Sequence, residues 1–209
     1  MSSMQRRSST ALLCAVTSAF LLAASFAASA SASAAWKFEG KQLEGVETIA
    51  GKALEDRLGV PGLMTKCELT YKMTIFNSAG VGKGEITELL LKNCSTSSKA
   101  CVVESATAKK LPWPLHLATV GTSIYVILEK VRFDLIYKGE ECALSETLIT
   151  VTGSAGGLFN NTSSTIAFSS LNSAKTGTEL RAFGESVEWA CVLTTEATGA
   201  HKEQALEVG

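Results

Sequence analysis

The sequence predicts an all-β fold: a single antiparallel β-sandwich or barrel-like domain of about ten strands, held together by disulfide bridges. Three observations support this prediction. Apolar and polar residues alternate with a period of two along several segments, as in strands with one buried and one solvated face. Clusters of Gly, Asn and Ser separate these segments, and such clusters favour turns. Five cysteines follow residue 34.

The alternation is clearest in two segments, residues 68–75 and residues 130–138, which each place their apolar side chains on one face. The same alternation predicts that Cys67 and Cys191 point inward, beside the apolar residues of their strands. Further strands are predicted at residues 36–39, 83–93, 101–106, 123–129, 145–153, 165–169, 179–183, 187–195 and 205–208.

At most one short helix is expected, over residues 44–58. Gly59 and Pro61 follow this segment, and both residue types commonly end helices. No linker, charge run or internal repeat divides the remaining chain, which predicts one domain.

The first 34 residues have the order of parts of a secretory signal peptide. Two arginines precede an apolar stretch, and A-x-A cleavage sequences end at Ala30, Ala32 and Ala34. We predict a cleaved signal peptide at residues 1–34, with cleavage after Ala34 preferred, and a β-sandwich domain at residues 35–209. No later segment is apolar over the ~20 residues that a membrane helix needs, so no membrane span is expected in the mature chain.

The charge balance excludes one class of partner. The chain has 19 Lys and Arg residues against 20 Asp and Glu residues, a formal net charge of -1. Nucleic-acid-binding proteins usually carry a basic excess or stripe, so no nucleic-acid partner is predicted. With 46% hydrophobic and 19% charged residues, the chain is too apolar to be disordered throughout.

The cysteines indicate a disulfide framework, because an exported chain meets an oxidising environment. Cys94 and Cys101 flank a polar connection between two predicted strands, so a bridge closing this hairpin is expected. Cys67 has two possible partners, Cys142 and Cys191, and one thiol must remain unpaired. A buried, inert cysteine is the expected state of that thiol.

Catalytic and metal-binding patterns are not evident. The chain has two histidines, His116 and His201, and two aspartates, Asp56 and Asp134, with no local signature of a Ser-His-Asp triad. It has no C-x-x-C pair, so no zinc site and no cofactor are predicted. Many glutamates are present, and a glycosidase needs only two carboxylates at a suitable separation, which leaves a secreted hydrolase as an alternative.

Two glycine-rich segments superficially resemble catalytic loops. Residues 80–84 lie between two strand patterns, whereas a phosphate loop must lead into a helix. Residues 153–157 contain a serine, but Thr152 stands where a nucleophile elbow requires glycine. Both segments are therefore predicted to be turns.

Trp113 is the candidate ligand-binding residue. Prolines on both sides hold it on an extended backbone that does not suit a central strand. An exposed indole there could stack on a sugar ring or a partner protein, although packing at the end of the sandwich is the more common role. Trp36 and Trp189 lie in strand patterns and are expected to pack in the core.

The order of features resembles a diffuse group of small exported actinobacterial proteins of unknown function. The matching parts are the signal peptide, the opening Trp36-Lys37-Phe38-Glu39-Gly40, the run Gly82-Lys83-Gly84-Glu85-Ile86-Thr87, and the cysteines Cys67, Cys94, Cys101 and Cys142. The resemblance implies bridges between Cys67 and Cys142 and between Cys94 and Cys101, with Cys191 as the odd thiol. It implies no catalytic residues.

These observations predict a secreted or extracytoplasmic, non-enzymatic β-sandwich protein. Its expected role is that of a structural or binding module at the cell envelope or outside the cell, with an envelope polysaccharide or a protein as a possible partner. The alternatives are a carbohydrate- or envelope-polymer-binding domain that uses Trp113, and a secreted hydrolase.

Overall fold

A computed structural model describes residues 33–209, except for the side chains of residues 54 and 55. All but the last two residues of the predicted signal peptide lie outside the described residues. The described part contains fourteen strands and one short helix. The strands are β1 (Trp36–Phe38), β2 (Lys41–Gln42), β3 (Val46–Val60), β4 (Leu63–Ser78), β5 (Val81–Thr96), β6 (Val102–Ala108), β7 (Trp113–Val120), β8 (Ser123–Lys138), β9 (Leu148–Asn160), β10 (Thr165–Phe168), β11 (Leu180–Ala182), β12 (Glu185–Thr194), β13 (Glu196–Ala197) and β14 (Leu206–Val208), and the helix is α1 (Ser170–Thr176).

The all-β prediction is confirmed, with fourteen strands in residues 33–209 against about ten predicted, although two of the predicted strands merge into one longer strand. The predicted strands 123–129 and 130–138 are one continuous strand, β8. The expected turn at residues 154–157 is instead the middle of β9, whereas the glycine-rich segment at residues 80–84 does contain a tight turn, between β4 and β5.

The main sheet closes on itself. Strands β3, β4, β5, β7, β8 and β9 pair in that order, all antiparallel. Strand β9 then pairs with β10 and β11, both of these pair with β12, and β12 returns to β3. Strand β6 pairs with the second half of β8. Closure leaves one face of each strand in this ring directed at a common interior.

The interior is filled by the apolar face that the alternation predicts. In β8, Val131, Phe133, Leu135 and Tyr137 are all buried. The Phe133 ring lies edge-on to Trp189, with ring centroids 5.5 Å apart. Aromatic pairs in this arrangement add a favourable term beyond burial alone, so β8 and β12 are joined across the core.

The two ends of the closed sheet are built differently. At one end, here called the strapped end, a small sheet in the order β14-β1-β2 joins the beginning and end of the described chain. Trp36 of β1 is fully buried, and its Nε1 donates to the carbonyl oxygen of Lys83 at 2.9 Å. The opposite end, here called the bridged end, carries two disulfide bonds.

The helix predicted at residues 44–58 is wrong, because this segment is strand β3, paired with β4 along its length. The pairing shifts register between Ala53 and Asp56, as at a β-bulge. Buried positions alternate on each side of the shift, at Glu47 and Ile49 before it and at Asp56, Leu58 and Val60 after it. The alternation changes phase inside the segment, so the sequence shows no continuous strand pattern of period two.

The predicted disulfide pairing is also wrong. The bridges join Cys67 to Cys94 and Cys101 to Cys142. Strands β4 and β5 are direct neighbours, which brings Cys67 and Cys94 to a Cα separation of 4.1 Å. Cys191 is the free cysteine and is buried. Two bridges of this kind indicate an oxidising environment.

No helix within residues 33–209 is long and apolar enough to span a membrane.

Candidate functional site around the buried Asp56

A buried carboxyl group lies at the bulge of β3. Asp56 is opposite Cys67 of β4 on one side and Cys191 of β12 on the other. All three side chains are buried, and that of Asp56 is only 2% exposed. Aspartate is rarely buried to this extent unless its carboxyl group has hydrogen-bond donors.

Asp56 has two such donors. Trp189 Nε1–H and the thiol of Cys191 both donate to its carboxylate. Burial nevertheless raises the pKa of Asp56 from 3.8 to about 6, because desolvation of the charged form outweighs both hydrogen bonds. Burial also raises the pKa of the Cys191 thiol, and the adjacent Asp56 carboxylate adds to this effect.

This arrangement does not activate the thiol. A cysteine nucleophile reacts as the thiolate, and catalytic cysteines have lowered pKa values near cations or a histidine base. Cys191 has the reverse environment, since it is buried against a carboxylate. The sequence prediction of an inert odd thiol agrees with this geometry.

The first cavity near Asp56, here called the β3–β12 cavity, has a volume of about 490 Å3. Its lining is mostly apolar and includes two cationic side chains. The lining residues are Lys52, Arg57, Phe168, Ala190, Cys191, Val192 and Thr194. Cavities that hold small molecules commonly have volumes of about 300–1,000 Å3, so this one is large enough for a ligand.

The β3 backbone beside this cavity is fixed by close packing. A Cβ atom on Gly51 would lie 1.8 Å from the carbonyl oxygen of Thr194, so only glycine allows the two strands to approach here. The Thr194 hydroxyl then bonds the backbone of Lys52, at 3.3 Å from its nitrogen and 3.2 Å from its oxygen. These contacts hold Lys52 at the cavity.

The second cavity, here called the α1 cavity, lies between the helix and the β11–β12 hairpin and has a volume of about 400 Å3. Its lining is richer in hydroxyl groups. The lining residues are Ser170, Ser173, Ala174, Gly177, Thr178, Glu179, Leu180, Ser186, Val187 and Trp189. Asp56 therefore bonds one lining residue of each cavity, Cys191 in the first and Trp189 in the second.

The helix is fixed against β9 by local sequence features. The Ser169 hydroxyl accepts from the backbone N–H of Asn172 and caps the N-terminus, and Gly177 ends the helix with φ 68°. A Cβ atom on Gly156 would lie 2.1 Å from the Thr176 hydroxyl oxygen. Glycine in β9 is thus required for α1 to pack closely against the sheet.

Glu179 carries the charge of the α1 cavity. The Ser186 hydroxyl donates to one carboxylate oxygen, and Arg181 Nε donates to the other at 2.7 Å. The hydrogen bond from Ser186, followed by that from Arg181, lowers the pKa of Glu179. Its carboxylate is therefore ionised and oriented at neutral pH.

Trp113, the candidate ligand-binding residue, is not available to a ligand. It is fully buried in β7, packs edge-on against Phe133 with a centroid separation of 5.1 Å, and donates from Nε1 to the Lys109 carbonyl oxygen at 2.8 Å. The flanking prolines were compatible with either exposure or packing, and the closed sheet selects packing. The hypothesis that Trp113 stacks on a sugar is therefore wrong.

The histidines and Asp134 do not assemble into a catalytic group. His116 Nδ1 lies 3.4 Å from a Glu129 carboxylate oxygen. His201 stacks on the Phe38 ring at 4.3 Å. Asp134 accepts from Arg132 Nε at 3.1 Å and from the Thr150 hydroxyl at 3.0 Å.

Among the side chains that the structure describes, no cluster of three or more His, Cys, Asp or Glu residues could hold a metal ion.

Of the residues that line the cavities, the sequence indicated Cys191, as an inert thiol, and Trp189, as a core residue, but neither as part of a binding site. Asp56 was considered only as a member of a possible triad, and Lys52, Glu179 and Ser186 were not singled out. The sequence carries no clear signal for Asp56, which stands between Glu55 and Arg57 in a charged triplet. Recognising it required knowledge of the pairing of β3 with β12, whose contacting residues are far apart in the chain.

The chain matches no protein-family model, no curated protein and no solved structure.

Proposed function

We propose that this protein is exported and acts at the cell envelope or outside the cell as a non-catalytic binding module, with its ligand in the β3–β12 cavity. The observation that supports binding is the cavity itself, about 490 Å3 with a mostly apolar lining and the cations Lys52 and Arg57. Apolar surface with a few placed polar groups is the usual character of a small-molecule site. The ligand class that fits is an apolar molecule with an anionic group.

Export is supported by the two disulfide bonds, which persist in oxidising compartments and are rare where thiols are kept reduced. The signal-peptide pattern of residues 1–34 points the same way. A binding role is preferred to a hydrolase with a histidine base or a cysteine nucleophile because the histidines and Asp134 each have a separate partner, and the free thiol has a raised pKa.

The export proposal is tested by expressing the full chain in a bacterium and fractionating the cells. We expect the protein outside the cytoplasm, shortened at its N-terminus and with one titratable thiol after denaturation, from Cys191. Recovery of the full-length chain from the cytoplasm with five or six reduced thiols would contradict export.

The binding proposal is tested with anilinonaphthalene sulfonate, an apolar anion whose fluorescence rises in apolar surroundings. Ala190→Phe should block the β3–β12 cavity and remove the saturable signal, and Lys52→Glu should weaken binding about tenfold through loss of a charge-assisted contact. Lys92→Glu, which makes the same charge change on an exposed part of β5, is the matched control and should bind as the wild type does. No saturable signal, or equal binding by all variants, would contradict the proposal.

A further inference from the structure

The α1 cavity has a chemical character different from that of the β3–β12 cavity, and the proposed function does not use it. We propose that it is a separate binding site for a neutral carbohydrate, defined by the polar side chains of Glu179, Ser186 and Ser173 at its walls. Three properties of the cavity lead to this ligand class.

The first property is the presence of hydrogen-bond acceptors on the side of the cavity formed by the β11–β12 hairpin, at Glu179 and Ser186. A carboxylate offers about four acceptor positions, and Ser186 and Arg181 occupy two of those on Glu179. The Ser186 hydroxyl donates its hydrogen to Glu179, so its oxygen is left to accept. This wall therefore suits ligand groups that donate hydrogen bonds.

The second property is a donor on the helix wall. The Ser173 hydroxyl oxygen accepts from the backbone N–H of Gly156 at 3.3 Å, and this bond does not use the hydrogen of the hydroxyl, which lines the cavity. The hydrogen-bond acceptors of Glu179 and Ser186 lie on the β11–β12 hairpin, and the Ser173 donor lies on the helix. Together they match a ligand whose groups both donate and accept hydrogen bonds. Hydroxyl groups have this property, and a sugar presents several of them at fixed spacing.

The third property is the balance of charge and apolar surface. Arg181 neutralises Glu179, with its Nε 2.7 Å from the carboxylate, so a ligand needs no charge of its own. The apolar part of the lining consists of the exposed Ala174 and the largely buried Leu180, Val187 and Trp189, so C–H groups of a sugar would meet a small apolar area beside the polar groups. A volume of about 400 Å3 falls in the range of small-ligand sites, about 300–1,000 Å3.

The test is an NMR titration of the isotope-labelled, disulfide-bonded protein with cellotetraose, chitotetraose and mannotetraose. We expect at least one of these neutral sugars to give saturable shifts in the amides of Ser173, Glu179 and Ser186. The affinity should fall about tenfold or more in Glu179→Gln, since hydrogen bonds to charged groups are stronger than neutral ones. Ser186→Ala should weaken binding in the same direction.

Glu185→Gln is the matched control, because Glu185 is exposed on the same hairpin and does not line the cavity. It should bind as the wild type does, and so should Lys52→Glu, which alters only the β3–β12 cavity. The proposal is overturned if none of the three sugars gives saturable shifts at ~10 mM, or if Glu179→Gln and Ser186→Ala, with unchanged melting temperatures, bind as tightly as Glu185→Gln. Because the sulfonate probe is measured separately, failure here leaves the proposed function standing.

Discussion

The bridged end and the strapped end of the closed sheet are held by different kinds of bond. At the bridged end, disulfides link residues 27 and 41 positions apart in sequence. On the chain-entropy model, closing loops of these lengths stabilises the folded state by about 3.5 and 4 kcal/mol. This stabilisation exists only while the environment is oxidising.

At the strapped end, noncovalent contacts join the beginning and end of the described chain. Ala35 and Gly209 exchange two backbone hydrogen bonds, of 3.0 and 3.1 Å. Asn77 holds Trp36 from both sides, accepting from its backbone nitrogen at 2.9 Å and donating to its backbone oxygen at 3.0 Å. Hydrogen bonds contribute about 1 kcal/mol each and do not respond to redox conditions. Reduction and N-terminal trimming therefore act on opposite ends of the molecule.

The largest effect is expected from reduction of both bridges. Loss of about 3.5 and 4 kcal/mol would remove half or more of the total stability of a typical domain, about 5–15 kcal/mol. We expect the reduced protein to be largely unfolded or to unfold at a much lower urea concentration. Circular dichroism in urea, with and without dithiothreitol, measures this difference.

The free cysteine provides the control for that experiment. Cys191→Ala removes the only cysteine outside the two bridges in the described chain, so reductant should shift its unfolding midpoint as it shifts that of the wild type. If mass spectrometry shows four newly reduced cysteines and the midpoint is unchanged, covalent stabilisation of the bridged end is contradicted.

A smaller, pH-dependent effect is expected from Asp56, which pairs with Cys67 on the bridged side of β3. Its pKa is raised from 3.8 to about 6 in the folded state, so the folded protein binds this proton more tightly than the unfolded chain does. The stabilisation from this proton is fully present below about pH 4 and is lost as the pH rises through 6. The full shift corresponds to about 3 kcal/mol.

Asp56→Asn keeps an acceptor for Trp189 and removes the charge. The free energy of unfolding of the variant minus that of the wild type should therefore rise by about 3 kcal/mol between pH 4 and pH 8. Taking the difference cancels the other titrating groups, which both proteins share. Urea unfolding at a series of pH values measures it, and parallel curves for the two proteins would show that Asp56 titrates normally.

The strand pattern was predictable because alternation is a local property of the sequence, whereas the bridges depend on register. From the turn after Ser78, a regular ladder would place Cys67 opposite Lys92. Two irregularities, one between Lys72 and Met73 and one between Lys66 and Glu68, shift the pairing and bring Cys94 to Cys67 instead. Each shift depends on packing along the whole strand, which no short sequence pattern specifies.

The candidate sites were unpredictable for a related reason. Trp189 and Asp56 are 133 residues apart, and they meet only because β12 closes the sheet against β3. The α1 cavity depends equally on Gly156 of β9, which admits the helix. Local patterns fix which face of each strand is buried, but the order in which strands become neighbours decides which polar residues share a cavity.

The smallest effect concerns the strapped end and the position of signal cleavage. The Ala34 carbonyl oxygen accepts from the backbone N–H of Gly82 at 2.8 Å, and Ala35 is fully buried. Cleavage after Ala34, the site preferred from the sequence, would remove this acceptor and convert the buried Ala35 nitrogen into a charged amine. Unpaired buried donors and charges are unfavourable, so the structure favours an earlier site.

We therefore expect the mature chain to begin at Ser33 or Ser31, after cleavage at Ala32 or Ala30. A chain starting at Ala35 should be less stable than one starting at Ser33 by about 1–2 kcal/mol, the usual penalty for a lost hydrogen bond that leaves its partner buried. Intact-mass measurement of the exported protein identifies the start, and urea unfolding compares the two chains. A natural start at Ala35 with equal stability would mean that the strapped end begins at Trp36 and that Ala34 adds nothing to it. The difference in free energy of unfolding between the chains starting at Ser33 and Ala35 can also be measured with and without reductant. An equal difference under both conditions would establish that the two ends are stabilised independently.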